Sequence, residues 1–216
     1  LATKNVSAAT EQQNNFNGKP PAVILDVDQT VLNNVAYQAR LIENRTYYPD
    51  GWDEWCMEEK ADYLPGVEDF LDYATDLGIE IFFVTNRTAN LEKATRNNLE
   101  KLGFKFAKNK DQLLMKGERS DWTSNKTSRR SLIAEKYRIL MILGDNLGDF
   151  VDSSENITSP KNRRAVAEKY RNMWGEYWFM LSNPNYGDWE NAIIDFNFGL
   201  PKDQQLQRKL DALDPK

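Results

Sequence analysis

Ala22-Val23-Ile24-Leu25-Asp26-Val27-Asp28-Gln29-Thr30 is the stretch on which the fold turns. The apolar run at 22–27 follows Pro20-Pro21 and reads as a short strand covered on both faces. Two carboxylates one residue apart sit at its end. That is a costly place for charge unless the pair binds a cation or does chemistry. Thr30 follows closely, and the turn-prone Asn33-Asn34 comes next. A candidate nucleophile, an acid/base partner and a metal site thus fall within five residues.

Outward from this stretch, strand candidates alternate with helix candidates. Apolar runs at 80–85, 112–115, 139–143 and 178–181 read as further strands. Val67, Phe70, Leu71, Ala74 and Leu77 share one helical face, opened by Pro65 and closed by Gly78. Leu91, Ala94, Asn98, Leu99 and Leu102 repeat the spacing before Gly103, and Leu132, Ile133 and Tyr137 suggest a third helix. The expected fold class is α/β, a parallel central sheet with right-handed crossovers.

Residues 33–64 break the rhythm. They carry Tyr37, Tyr47, Tyr48, Trp52, Trp55 and Tyr63, and read as a mainly helical cap over the carboxyl edge of the sheet, where open α/β folds bind ligands. Residues 184–216 form a C-terminal contribution, with weak amphipathicity at 204–213. Residues 1–18 are a polar tail or first helix centred on Gln12-Gln13-Asn14-Asn15, and 19–216 form the main domain.

Composition removes several classes of function. The 216 residues include no histidine, so Ser-His-Asp chemistry, His-ligated zinc and phosphohistidine are excluded. One cysteine, Cys56, permits neither an internal disulfide nor a multi-cysteine zinc site. A net charge of -5 argues against a nucleic-acid binder. No apolar run reaches the roughly 20 residues that span a bilayer. There is no signal-peptide core and no lipidated cysteine, so the expectation from this chain is of no membrane anchor.

Four clusters fall at or near strand ends: Asp26/Asp28/Thr30, Thr85-Asn86-Arg87, Lys126, and Gly144-Asp145-Asn146-Leu147-Gly148-Asp149. A parallel sheet brings all its strand ends to one edge, so these residues can share a crevice. Asp26, Asp28 and Asp145 repel one another unless a divalent cation neutralises them, and oxygen-only donors favour Mg²⁺. A lysine, a hydroxyl and backbone amides beside the cation make a receptor for a phosphoryl group. One carboxylate can attack phosphorus while another moves protons.

Each cluster taken alone also has a plain structural reading. Asp-x-Asp fits a turn, although the spacing fails as an EF-hand. Thr85-Asn86 fits a helix N-cap. Lys126 fits a solvated lysine, and Lys116, Arg119, Arg129, Arg130, Arg163 and Arg164 fit solvated faces. The order and placement of all four clusters together favour the chemical reading.

With these residues in view, the chain resembles the haloacid dehalogenase superfamily of phosphotransferases, through Asp26-x-Asp28-x-Thr30, Thr85, Lys126 and Gly144-Asp145-x-x-x-Asp149. It resembles more closely the bacterial class C nonspecific acid phosphatases, which include outer-membrane lipoprotein acid phosphatases. Trp52-Asp53-Glu54-Trp55, Leu64-Pro65-Gly66 and Asn185-Tyr186-Gly187-Asp188-Trp189-Glu190 carry that closer similarity.

The resemblance implies a Mg²⁺-dependent acid phosphatase acting on phosphomonoesters, nucleoside monophosphates foremost, through an aspartyl-phosphate. Asp26 would be nucleophile and metal ligand. Asp28 would be general acid/base, giving its main-chain carbonyl to the metal. Thr85 and Lys126 would hold phosphoryl oxygens, with Lys116 the fallback for Lys126. Asp145 would ligate Mg²⁺, and Asp149 would act through a metal-bound water or by orienting Lys126. Asn86, Arg87, Trp52 and Tyr186 would contact substrate, the two rings flanking a base. Gln29 stands where close relatives carry Glu. A homodimer and a cell-envelope or secreted location are also implied. The rival expectations are another phosphatase of the superfamily acting on sugar phosphates, and a non-catalytic nucleotide-binding surface protein.

Overall fold

The computed structural model describes residues 2–11 and 18–213. Five strands form one parallel sheet: β1 (Pro21–Leu25), β2 (Glu80–Thr88), β3 (Leu113–Lys116), β4 (Arg138–Gly144) and β5 (Trp178–Met180), in the order β3-β2-β1-β4-β5. The chain leaves β1 to build one side of the sheet, then returns to place β4 on the other. The carboxyl ends of β1 and β4 therefore border the topological switch point, the usual ligand crevice of such sheets.

Alternation along the strands divides the core into two layers. Val23, Leu25, Ile81, Phe83, Leu113, Met115, Met141 and Leu143 share one layer with α4 (Val67–Asp76) and α5 (Glu92–Lys101), through Val67, Phe70, Leu71, Ala74 and Leu99. Ala22, Ile24, Phe82, Val84 and Leu114 face the other way, against Trp122 in the loop after β3 and Ile133 in α6 (Thr127–Lys136). A third cluster, Leu147, Phe150, Val151, Val166 and Trp178, seats α7 (Pro160–Lys169).

The parallel α/β architecture expected from the sequence is present, with two differences. First, β2 continues through Thr85 to Thr88, with its pairing to β3 irregular between those residues. Thr85-Asn86 is therefore a distorted strand, and α5 begins only at Glu92, so the N-cap reading fails. Second, α7 has no apolar period, because Val166 is its one buried residue. Its sequence signal is the cap, in which Ser159 Oγ accepts from Asn162 N at 3.3 Å ahead of Pro160. Residues 33–64, expected to be mainly helical, contain α2 (Val35–Asn44) and α3 (Trp52–Met57). Asn98 pins this segment to α5, its side chain bonding Ala61 N at 3.1 Å and Ala61 O at 2.8 Å.

At the N-terminus, α1 (Ala2–Glu11) packs the buried Val6 into the first layer, and Asn5 Nδ2 donates to Gly175 O at 3.0 Å. The run Gln12-Gln13-Asn14-Asn15 lies outside the described residues. Beyond β5 come α8 (Asp188–Ile193) and α9 (Lys202–Ala212).

Candidate active site

Asp26 N still donates to Leu143 O at 2.9 Å, so the backbone at Asp26 remains tied to β4. The chain then turns tightly. Val31 N and Leu32 N both donate to Val27 O, and Gln29 takes the left-handed conformation at φ 54. Thr30 Oγ1 reaches back to Asp26 Oδ2 at 3.4 Å.

Across the switch point, β4 delivers Asp145 and Asp149. Carboxylate oxygens of Asp26, Asp145 and Asp149 lie within 4.8 Å of one another. Lys126, only 4% exposed at the start of α6, donates to Asp26 Oδ1 and pairs with Asp149 Oδ1 at 2.6 Å. Asp149 Oδ2 accepts from Asn146 N at 2.9 Å. Both Asp149 oxygens are thus engaged by the protein, and Asp149 fixes Lys126 in place. Gly144 makes this possible, since a Cβ there would lie 2.4 Å from Asp149 Oδ2. Asp145 Oδ2 accepts from Asn183 Nδ2 at 2.7 Å.

Burial raises the Asp26 carboxyl above the usual range, Lys126 opposes the rise, and Asp149 and Asp28 add to it. Burial also raises Asp145, with Asp26 and Asp149 adding repulsion and Asn183 and Lys126 working against it. Burial disfavours the Lys126 ammonium, but Asp149 and Asp26 outweigh it and hold its pKa above the usual value. Three carboxylates face one ammonium, an excess of two negative charges when all are ionised. An oxygen-only donor set with that excess fits a hard divalent cation.

Asp28 stands apart from this cluster. Its carboxylate accepts from Arg87 Nη2 at 2.8 Å and Arg87 Nε at 3.0 Å, and from Asn34 Nδ2 at 2.7 Å. Asn34 is fully buried and fixed in turn, accepting from Trp55 Nε1 at 2.9 Å while its own N–H donates to Gln29 Oε1 at 2.6 Å. Gln29 therefore has a local task, anchoring the start of α2. Burial works against the Arg87 charge, but Asp28 outweighs it and keeps the guanidinium's pKa raised.

Thr85 is buried at the distorted end of β2, where its hydroxyl accepts from Arg87 N at 3.0 Å. Asn86 is exposed and donates to Ser124 O at 2.9 Å, tying β2 to the loop before Lys126. Lys126, not Lys116, brings its ammonium to Asp26.

The expectation of solvated arginines is corrected at Arg129, Arg130 and Arg163, the last half-buried with Nη2 donating to Asn146 Oδ1 at 3.4 Å. Arg129 is 0% exposed. It donates to Thr85 O, to Asn86 Oδ1 at 2.8 Å and to Thr123 O at 2.8 Å, and so joins the end of β2 to the Lys126 loop from behind. Burial lowers its pKa to about 10. Arg130 donates to Asp149 O at 2.7 Å and Val151 O at 2.6 Å, bracing the loop after β4. The available signal was spacing, since Arg129 lies one helical turn beyond Lys126.

The ring of Trp52 packs edge-on to Tyr37 at 5.0 Å and Tyr48 at 5.9 Å, with the Arg87 guanidinium 5.5 Å from its centroid. Trp52 thus stands next to the Asp28 pocket. The Tyr186 hydroxyl is buried, with Asn34 close by. Burial raises its pKa, and Asp28 and Asp145 raise it further.

Comparison with known proteins identifies the family. The chain is 31% identical to the class C acid phosphatase of Bacillus anthracis, solved with tungstate bound. That superposition has a TM-score of 0.88 and covers 100% of this chain and 89% of the other. A second structure of the Bacillus anthracis class C acid phosphatase gives a TM-score of 0.84 at 30% identity, covering 100% and 92%. Among plant proteins, the stem 28 kDa glycoprotein of Glycine max is 30% identical over 59% of this chain and 52% of its own length. Vegetative storage protein 1 of Arabidopsis thaliana is 28% identical over 61% and 49%. The chain therefore spans about half the length of these plant relatives. The family described as HAD superfamily, subfamily IIIB (acid phosphatase) matches residues 2–189. The chain belongs to that acid phosphatase family of the haloacid dehalogenase superfamily.

Proposed function

We propose that this protein is a phosphomonoesterase that works through an aspartyl-phosphate on Asp26, with Mg²⁺ as cofactor and nucleoside monophosphates as the principal substrates. The observation that carries the proposal is the buried Asp26 carboxylate, bonded to Lys126 and within 4.8 Å of Asp145 and Asp149. Family membership supports it, and so does the tungstate bound by the Bacillus anthracis relative, a tetrahedral oxyanion like phosphate.

In this reading Lys126 and Thr85 bind the phosphoryl oxygens, and Asp149 and Arg129 hold those two residues in place. An Asp26 oxygen attacks phosphorus as the bond to the leaving oxygen breaks. Asp28 gives its proton to that oxygen, then takes a proton from the water that attacks the phosphoaspartate. Water's oxygen bonds to phosphorus as the bond from phosphorus to the Asp26 oxygen breaks, inorganic phosphate leaves, and the free carboxylate is restored. Asp26, Asp145 and the Asp28 main-chain carbonyl would hold Mg²⁺, which supplies positive charge against the phosphoryl oxygens and the crowded carboxylates. Asp149 acts by orienting Lys126.

Trp52 and Tyr186 supply flat faces for a base, with residues 33–64 as the cap that presents Trp52. Asn86 and Arg87 serve the site through Ser124, Arg129 and Asp28. The proposal includes a cell-envelope or secreted location. It also includes a homodimer, supported by exposed Leu206 and Leu210 one turn apart on α9 and checked by light scattering. No helix among the described residues is long and apolar enough to cross a membrane.

Phosphate release from an aryl phosphate, with Mg²⁺ and then with excess chelator, tests the activity. Release that chelation abolishes is expected, and none under any condition sinks the proposal. The storage-protein name of one plant relative keeps a non-catalytic reading in play, which the same assay decides. A panel of nucleotides and sugar phosphates decides the substrate class.

A further inference from the structure

Residues 183–190 form a strap joined to the loop after β4 at two points. Asn183 Nδ2 donates to Asp145 Oδ2 at 2.7 Å, and Asn146 Nδ2 donates to Asp188 Oδ2 at 2.9 Å. Asn183 is only 8% exposed. Its Oδ1 accepts from Asn185 N at 3.1 Å and Tyr186 N at 3.4 Å, and its main-chain carbonyl accepts from Trp189 Nε1 at 3.1 Å. Two main-chain N–H groups must face an acceptor, so the orientation of this amide is fixed. Its oxygen looks into the strap and its NH₂ is aimed at Asp145. The reverse orientation would set NH₂ against two donors and oxygen against a carboxylate. Among the described residues, no other hydrogen bond reaches the Asp145 side chain.

We infer that Asn183 is a positioning residue: it fixes the Asp145 carboxylate for a divalent cation and ties that carboxylate to the strap carrying Tyr186. The inference rests on the metal reading above. It also gives Asn185–Glu190 a second purpose, since the strap that carries the substrate-side ring sets the donor on the cation-side carboxylate. Hydrogen-bond partners of ligating groups orient them, and losing one typically weakens metal binding by about 10–100-fold.

The test is calorimetric titration of Mg²⁺ alone into metal-free protein, comparing wild type, N183S and D188A. Serine keeps a hydroxyl acceptor for the strap's amides but is too short to reach Asp145. D188A cuts the other tie and leaves Asn183 in place. The expected result is Mg²⁺ affinity about 10–100-fold weaker in N183S and unchanged within error in D188A, with metal-free thermal midpoints close to wild type. Undiminished affinity in N183S overturns the inference, and so does equal weakening in both variants, which would assign the effect to the strap as a whole. If N183S does not fold, N183A replaces it under the same criteria. Wild-type protein that takes up no Mg²⁺ overturns the cation reading and this inference together, while phosphate release independently decides whether the activity survives.

Discussion

Asp26 and Asp28 lie two residues apart and in opposite surroundings. Asp26 shares a buried pocket with two other carboxylates and a single ammonium. Asp28, with its side chain 18% exposed, faces a guanidinium and an amide, both donors. Had the strand simply continued, residues at this spacing would share one face and one environment. The turn in which Val31 N and Leu32 N both close on Val27 O separates them. The two carboxylates thus sit in unlike environments; in the proposed reaction Asp26 attacks, with bound Mg²⁺ favouring its ionised form, and Asp28 moves protons.

Exchanging each carboxylate for its amide breaks the comparison most sharply. D26N should lower turnover about a thousandfold or more for every substrate, because it removes the proposed attacking oxygen. D28N should cost about 10²–10⁴-fold with an alkyl phosphate and clearly less with an activated aryl phosphate, whose leaving oxygen needs no proton. Equal losses with both esters would remove Asp28 from the acid role.

Stability should separate the pockets next. Removing Arg87 leaves Asp28 without its buried partner, so R87A should lose about 3–5 kcal/mol in urea unfolding. A loss under about 1 kcal/mol would mean that solvent or Asn34 compensates.

The Asp26 pocket should show itself in pH dependence. Asp26 and Asp145 have folded pKa values raised above their unfolded values. Without metal, the folded state then binds more protons, so its stability falls as pH rises from the ordinary carboxylate range through neutral. Mg²⁺ should reverse that trend, because it binds the ionised forms. Thermal midpoints measured across this range, with chelator and with Mg²⁺, check the sign. A metal-free midpoint that climbs toward neutral pH would contradict the crowding argument.

The smallest effect belongs to the aromatic rim. W52A should raise KM for a nucleoside monophosphate by about tenfold, the loss of one stacking contact, and leave KM for a small aryl phosphate nearly unchanged. Parallel changes for both substrates would place Trp52 in cap packing alone.

The strands and the charged cluster were legible in the sequence for a shared physical reason. A continuous apolar run is buried on both faces, and carboxylates at its end stay ionised only beside a cation or strong donors. Asp26, Lys126, Asp145 and Asp149 lie far apart in the chain and meet because parallel strands end on one edge. The supporting amides were not legible. Asn34 and Asn183 look like ordinary turn formers, and only the folded chain shows that their side chains face Asp28 and Asp145. Arg129 was hidden for a related reason. A buried arginine needs acceptors from several segments, here Thr85, Asn86 and Thr123, and no local pattern announces such a set. The polar α7 lacked an apolar period because it buries only Val166, and its one signal was the Ser159-Pro160 cap.

The central claim is that Asp26 carries the phosphoryl group, and acid quenching during turnover followed by mass spectrometry tests it most directly. The account predicts a peptide containing Asp26 with the added mass of one phosphoryl group, absent from D26N and absent without substrate. Active enzyme whose quenched Asp26 peptide stays unmodified, or a phosphoryl group on any other residue, would contradict it.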